Sequence, residues 1–364
     1  MQTKTIVFAL LLFSAFVFAG CCGPTAPEYQ PPIGQPANYE TGLPNTSLQS
    51  GSSSQQTANV TQPTGGTQQP APSYPTTTRE EAIPADAVKI TPEMDFYPPI
   101  LYSDDFEAPV PLGPPINTKG AEDSPFMMPD GNTFYVWFTP SPSIPVEQQL
   151  FDNVTGIYIY HKVGGQWTGP ERMWLMEPGR LALDGCLFVQ GDEAWFCSAR
   201  EGYSGMNMFT ATYANGKWSD YQIVDETLRN YKVGEMHLSA DGNTLYFHSD
   251  REGGKGGLDL WSTEKINGEW QEPVNMEIMN SPDNEGWPYL SQDGNEFWFT
   301  RFYMGSPALF RSKKVSGEWS EPELIVSQFA GESTLDNAGN LYFTHHFYNN
   351  GTMLEADIYV AYKK

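Results

Sequence analysis

Leu238-Ser239-Ala240-Asp241-Gly242-Asn243-Thr244-Leu245-Tyr246-Phe247 sets an apolar stretch, an Asp-Gly turn and a second apolar stretch in immediate succession. Asp-Gly tolerates the left-handed backbone that a tight turn between strands demands, so the segment reads as a β-hairpin. Met128-Pro129-Asp130-Gly131-Asn132-Thr133-Phe134-Tyr135 and Leu290-Ser291-Gln292-Asp293-Gly294-Asn295-Glu296-Phe297-Trp298-Phe299 repeat it. Gln190-Gly191-Asp192 and Asn337-Ala338-Gly339-Asn340-Leu341-Tyr342-Phe343 are degenerate copies. Behind the first four in chain order lies a second hairpin that closes on Gly-x-Trp, at Trp167, Trp218, Trp270 and Trp319. Two hairpins make a four-stranded unit.

With Asp130, Gln190, Asp241, Asp293 and Ala338 as markers, the spacings are 60, 51, 52 and 45 residues, the range of a four-stranded propeller blade. The fold expected is all-β: a five-bladed β-propeller of antiparallel blades over residues 98–364, with blades at about 121–175, 178–225, 232–276, 284–325 and 330–364. The last unit lacks its Gly-x-Trp strand. Glu107-Ala108-Pro109-Val110 before Ile116-Asn117-Thr118 matches Gln271-Glu272-Pro273-Val274 before Met279-Asn280-Ser281, so residues 106–112 are expected to complete that blade and remove its open edge.

The hairpin at 238–247, continued as His248-Ser249-Asp250-Arg251-Glu252-Gly253-Gly254-Lys255-Gly256-Gly257-Leu258-Asp259-Leu260-Trp261, resembles the Pro-Asp variant of the Trp-Asp repeat in TolB-type propellers. The likeness spans about residues 107–364. It implies a propeller with a binding surface, and it implies that Asp250 and Asp259 tie down loop backbone rather than catalyse. Gly253-Gly254-Lys255-Gly256-Gly257 joins two strands and opens no helix, so it reads as an inter-strand loop and not as a phosphate loop.

Upstream, Lys4 precedes an apolar run from Ile6 to Phe18, the pattern of an export signal over residues 1–20. Phe18-Ala19-Gly20-Cys21 resembles the lipobox of lipoproteins, with Phe18 where that pattern prefers Leu, and implies lipidation of Cys21. Residues 21–97 are expected to be a disordered Pro/Thr/Ser/Gln-rich tether, too poor in large apolar side chains to offset the entropy of ordering. The expected location is the cell envelope, outside the cytoplasm, with the membrane reached only through the lipid.

Forty-four acidic residues against 20 basic give a formal charge of −24, which repels phosphate backbones and excludes nucleic acid as the natural partner. Cations, sugars and basic protein surfaces remain. Counted back from the turn markers, carboxylates fall six residues earlier at Asp184, Glu235 and Glu332 and eight earlier at Glu122 and Glu285. Side chains two apart on a strand share a face, so these five are expected to form a ring at one end of the propeller axis, with Arg200 and Arg251 near its rim. Such a ring is either a solvated funnel, a binding site for a polar ligand or a cation such as calcium, or a pair of glycosidase carboxylates drawn from Glu122, Glu235, Glu285 and Glu332. Trp287 falls where other blades carry the ring acid and offers a stacking surface.

Cys186 and Cys197 are equidistant from the Gly191-Asp192 turn, an arrangement that gives a cross-strand disulfide or two buried thiols. His237 and His248 occupy the matching positions of the third unit and form either a packed pair or the start of a metal site. The function expected is a monomeric binding or scaffolding lipoprotein for a protein, peptide or glycan, without a cofactor. The alternative is a carbohydrate-active enzyme.

Overall fold

The computed structural model describes residues 73–224 and 233–364. The expected export signal, Cys21 and most of the expected tether lie outside the described residues. The fold is all-β, a set of antiparallel sheets organised as in a propeller.

Two short strands, β1 (Ile100–Leu101) and β2 (Val110–Pro111), precede the repeats. The first unit contains β3 (Ala121–Met127), β4 (Thr133–Thr139), β5 (Gly156–Val163) and β6 (Gln166–Arg172); the second contains β7 (Ala182–Gln190), β8 (Glu193–Arg200), β9 (Met206–Ala214) and β10 (Lys217–Ile223). The third has β11 (Val233–Leu238), β12 (Thr244–Ser249), β13 (Asp259–Ile266), β14 (Glu269–Trp270) and β15 (Val274–Asn275). The fourth has β16 (Glu285–Leu290), β17 (Glu296–Tyr303), β18 (Ser306–Val315), β19 (Glu318–Trp319) and β20 (Glu323–Ser327), and the fifth has β21 (Ala330–Leu335), β22 (Leu341–Asn349) and β23 (Thr352–Ala361).

Each unit is a meander whose first hairpin is locked by its turn. Asp130 Oδ1 accepts the backbone N–H groups of Asn132 and Thr133, at 2.7 and 2.9 Å, and Asp241 and Asp293 accept those of Asn243 and Asn295. The glycine after each aspartate sits at φ +67° to +71°, which an L side chain resists. In the second unit Gln190 pairs with Glu193 across the turn Gly191-Asp192, and the bulge at 185/188 matches that at 123/126, so Asp192 and not the marker Gln190 corresponds to Asp130.

The first strands β3, β7, β11, β16 and β21 contact one another in cyclic order. β2 pairs with β23, Val110 opposite Val360, and Phe106 bridges Lys363, which adds the 106–112 segment to the sheet of the last unit. The sheets pack through apolar seams. Phe126, Phe188, Phe196 and Phe247 join the first three units, Leu260 and Phe297 the third and fourth, Trp298 and Phe343 the fourth and fifth, and Tyr342 and Phe134 the fifth and first. Burying each such ring contributes roughly 1.5–3 kcal/mol.

Residues 73–97, placed in the tether by composition, are packed on the sheets. A short helix, α1 (Arg79–Ala82), opens with a capping box between Thr78 and Glu81. Tyr74 stacks on Trp174 at 4.7 Å, Lys89 bonds to Glu355 and Asp357, Asp95 lies 2.8 Å from His345 Nε2, and β1 pairs with β20. A few anchoring side chains order this strap although its average composition is that of a linker.

Candidate functional site

The expected acids do not form one ring. Counted from Asp192, the counterpart of Asp130, Asp184 stands eight residues earlier, in register with Glu122 and Glu285. All three are buried, and each belongs to a clamp. Glu285 Oε1 accepts from Arg301 Nε at 2.7 Å and from Ser281 Oγ, while Arg301 Nη2 also reaches the Met279 carbonyl at 2.8 Å. Asp184 Oδ1 accepts from Arg200 Nη2 at 2.8 Å, and the same nitrogen reaches the Leu175 carbonyl. Glu122 is held by Thr118 and by Arg79 of the strap, whose guanidinium also binds the carbonyls of Pro115 and Ile116. Burial raises Glu122 to about 7, against the pull of Arg79 and Thr118. These arginines rest on aromatic faces of their own sheets: Arg200 on Phe209 at 4.3 Å, Arg301 on Phe310 at 4.6 Å, Arg79 on Phe138 at 5.1 Å. Arg251 rests likewise on Phe247 and Trp261 and donates to Ser249 Oγ. Arg200 and Arg251 are thus built into the sheets.

Six residues before each turn stands a different set: Ser124, Cys186, Glu235, Trp287 and Glu332. The ladder between first and second strands slips here in every unit, a bulge that re-aims a side chain. Ser124, Cys186, Trp287 and Glu332 take φ between +47° and +56°. All are half-buried except Glu332, which is 8% exposed. Two residues further on, Phe126, Phe188, His237 and Tyr289 form a floor of successive ring contacts at 4.5–5.2 Å. Tyr289 then bonds to the Leu335 carbonyl, and Thr334 Oγ1 accepts from Met127 N.

Ser124 is the meeting point of the acids. Its Oγ lies 2.9 Å from Glu235 Oε1 and 2.8 Å from Glu332 Oε2, and its N–H is shared between Glu332 and Asp123. One hydroxyl has one proton to give the two carboxyls, so two full hydrogen bonds here need a proton on one of the glutamic acids. Burial pushes Glu235 up to about 8; burial, then the charges of Asp123 and Glu235, push Glu332 well above the carboxylate range. Burial also acts on Asp123, but His346 beside it, with Nε2 at 3.7 Å, and hydrogen bonds with Glu332 and Thr344 together leave this carboxyl below its ordinary value. Asp123 carries the charge and the glutamic acids carry the protons. Neither Asp123 nor His346 stands out in the sequence pattern, because both lie off the positions that recur in every unit.

Cys186 and Cys197 are free thiols. The ladder sets Gly185, not Cys186, opposite Cys197, because the bulge begins at Cys186. A hydrogen bond with Cys197, burial, and the nearby Glu235 and Glu332 push the Cys186 thiol well up. His237 and His248 do not face each other. His237 lies between Phe188 and Tyr289, and His248 Nδ1 accepts the Trp287 N–H at 3.2 Å with the rings 5.1 Å apart. Burial lowers them to about 3 and about 4, so both are neutral. Among the described residues no three His, Cys, Asp or Glu side chains are arranged to hold a metal ion.

No family model matches the chain, and no curated protein matches it. Among solved structures it is similar to TolB from Acinetobacter baumannii, at 11% identity and a TM-score of 0.42 over 68% of this chain and 55% of that one. It is also similar to an endo-arabinase from Bacteroides thetaiotaomicron, at 15% identity and a TM-score of 0.44 over 66% and 94% of the two chains. A gluconolactonase from Xanthomonas campestris aligns at 12% identity and a TM-score of 0.42, over 72% and 90%.

Proposed function

We propose that this chain is a non-enzymatic binding module, exported and held at a membrane by a lipid on Cys21. Its body is a five-bladed propeller closed by residues 106–112 on the last blade, and it grips a protein, peptide or glycan at the centre lined by Ser124, Cys186, Glu235, Trp287 and Glu332. Supporting the blade count are the cyclic contacts of the five first strands. Supporting the site is the division of the acids. Glu122, Asp184 and Glu285 are tied to arginines, whereas Glu235 and Glu332 converge on Ser124, and Trp287 stands half-buried at the equivalent bulge of the fourth unit.

One observation favours a glycoside-cleaving reading: the Glu235 and Glu332 oxygens are within roughly 6 Å of each other, near the spacing of retaining glycosidases. The space between them, however, is filled by Ser124 Oγ, where a hydrolase holds the glycosidic bond.

Glycan and peptide arrays probed with the full-length chain test the binding reading. A ligand whose signal falls in both Trp287→Ala and Glu235→Gln supports it, and hits indifferent to both changes sink it. Hydrolysis of an aryl glycoside that stops in Glu332→Gln would replace it with the enzymatic reading.

A further inference from the structure

Three acids at the centre have no lysine or arginine within ion-pair distance among the described residues. Asp123, Glu235 and Glu332 meet one another, Ser124, His346, Thr344 and Cys186, none of them a lysine or arginine. This contrasts with Glu122, Asp184 and Glu285, each of which has its arginine. His346 is 7% exposed, neither of its ring nitrogens has a hydrogen-bond partner, and Nε2 points toward Asp123 Oδ2 from 3.7 Å. A buried imidazole left in this state has hydrogen-bonding capacity to offer a guest. At the equivalent bulge of the fourth unit stands Trp287, half-buried, with one neighbour ring at His248.

Building on the binding reading above, we propose that this centre takes a primary ammonium group, carried by a lysyl side chain or a small amine, seated among Asp123, Glu235 and Glu332 with the Trp287 indole beside it. An ammonium brings three N–H donors and no acceptor, which suits a site made of carboxyl oxygens, one serine hydroxyl and one imidazole. Charge-assisted hydrogen bonds to carboxylates are the stronger kind, and an indole face attracts a cation. A bare metal ion fits less well, since no ready set of three ligands exists among the described residues. A neutral sugar can hydrogen-bond these carboxyls but brings no charge to pair with them. The carboxyls hold protons while the site is empty, so entry of an ammonium expels protons to solvent.

Isothermal titration of the full-length protein at pH 7 tests this, in two buffers of different ionisation enthalpy. The probes are cadaverine, Nα-acetyl-lysine amide and glucosamine, each against its uncharged counterpart: 1,5-pentanediol, Nα-acetyl-norleucine amide and glucose. At least one amine is expected to bind about tenfold or more tighter than its counterpart, with a heat that differs between buffers because protons are released. The double change Glu235→Gln with Glu332→Gln is expected to remove the buffer dependence and weaken binding about tenfold. Ser124→Ala, which leaves every charge in place, serves as the second variant should the double one not fold. It is expected to retain the buffer dependence. Cadaverine marks a free amine and the lysine amide a peptide source. Equal binding of the uncharged counterparts, preference for calcium or manganese chloride, or no binding by any amine overturns the ammonium assignment. A neutral glycan that binds in a Trp287-dependent way would overturn it while leaving the binding reading intact.

Discussion

Arg79 Nη1 stands 3.4 Å from Glu122 Oε1, with both side chains sealed from water. In the fourth unit the ladder sets Arg301 opposite Glu285, and in the first it sets Phe138 opposite Glu122. The first unit therefore lacks an arginine of its own at this point, and the strap supplies one. The carbonyls it holds, those of Pro115 and Ile116, correspond to the Met279 carbonyl held by Arg301.

Removal of Arg79 leaves Glu122 buried without a counter-charge and opens the seat over Phe138 and Tyr158. Breaking a buried pair from one side costs about 3–5 kcal/mol, so Arg79→Ala is expected to lower the urea midpoint sharply. Arg79→Lys restores the charge without the fork and falls between. A chain cut at residue 98 is expected to be no more stable than Arg79→Ala. A midpoint unchanged in Arg79→Ala would show that the strap is only draped over the sheets.

Stability is expected to fall as pH rises from about 5 to about 8. Glu235 keeps its proton in the folded protein to about 8, and Asp357, raised chiefly by burial, does the same. Their unfolded counterparts ionise near 4, so across this window the unfolded state binds fewer protons and alkali favours it. Glu235→Gln removes one such group. It is expected to flatten the decline, by on the order of 1–3 kcal/mol between the two ends, in denaturation curves at half-unit pH steps. A parallel decline in the variant would assign the effect to other groups.

The hairpin repeats are legible in the sequence because an Asp-Gly turn and alternating apolar strands are set by neighbours in the chain. What the central acids do is not, because it depends on a count that shifts with the turn. Taking Gln190 for the turn put Asp184 with Glu235, whereas the ladder puts Cys186 there. The strap is illegible for a different reason. Its order comes from Tyr74, Arg79, Lys89 and Asp95 meeting partners up to 268 residues away, and a composition average dilutes four such residues in prolines and threonines. The absence of an arginine opposite Glu122 is the signal that points to Arg79, visible once the ladder is known.

Cys186 and Cys197 are expected to remain thiols in an oxidising medium. A thiol acts in exchange as its thiolate, and the hydrogen bond with Cys197, burial, and the acids beside Cys186 keep it protonated. The native chain with Cys21 and Cys22 changed to serine is expected to react with a thiol reagent at pH 8 at least tenfold more slowly than after unfolding, even after incubation with oxidised glutathione. Two equivalents should be recovered in denaturant. Loss of both equivalents on oxidation, restored by reductant, would show that the pair closes.

Gly234 and Gly286 hold His248 from two sides, and through it Trp287. A Cβ added at Gly234 would stand 1.9 Å from His248 Nε2, and one at Gly286 would stand 2.8 Å from Nδ1. Neither glycine has a positive φ, so the demand is for space and not for backbone freedom. Gly234→Ala must push the imidazole aside, and Nδ1 then loses the Trp287 N–H at 3.2 Å. Overpacking of this kind costs about 1–3 kcal/mol. His248→Ala makes room for the new methyl, so Gly234→Ala is expected to be nearly neutral in a His248→Ala background. The double-mutant cycle separates this from a general weakness of β11. A coupling of at least ~1 kcal/mol, with a changed Trp287 fluorescence in Gly234→Ala alone, is the expected outcome. Additive losses would mean that His248 does not position the tryptophan.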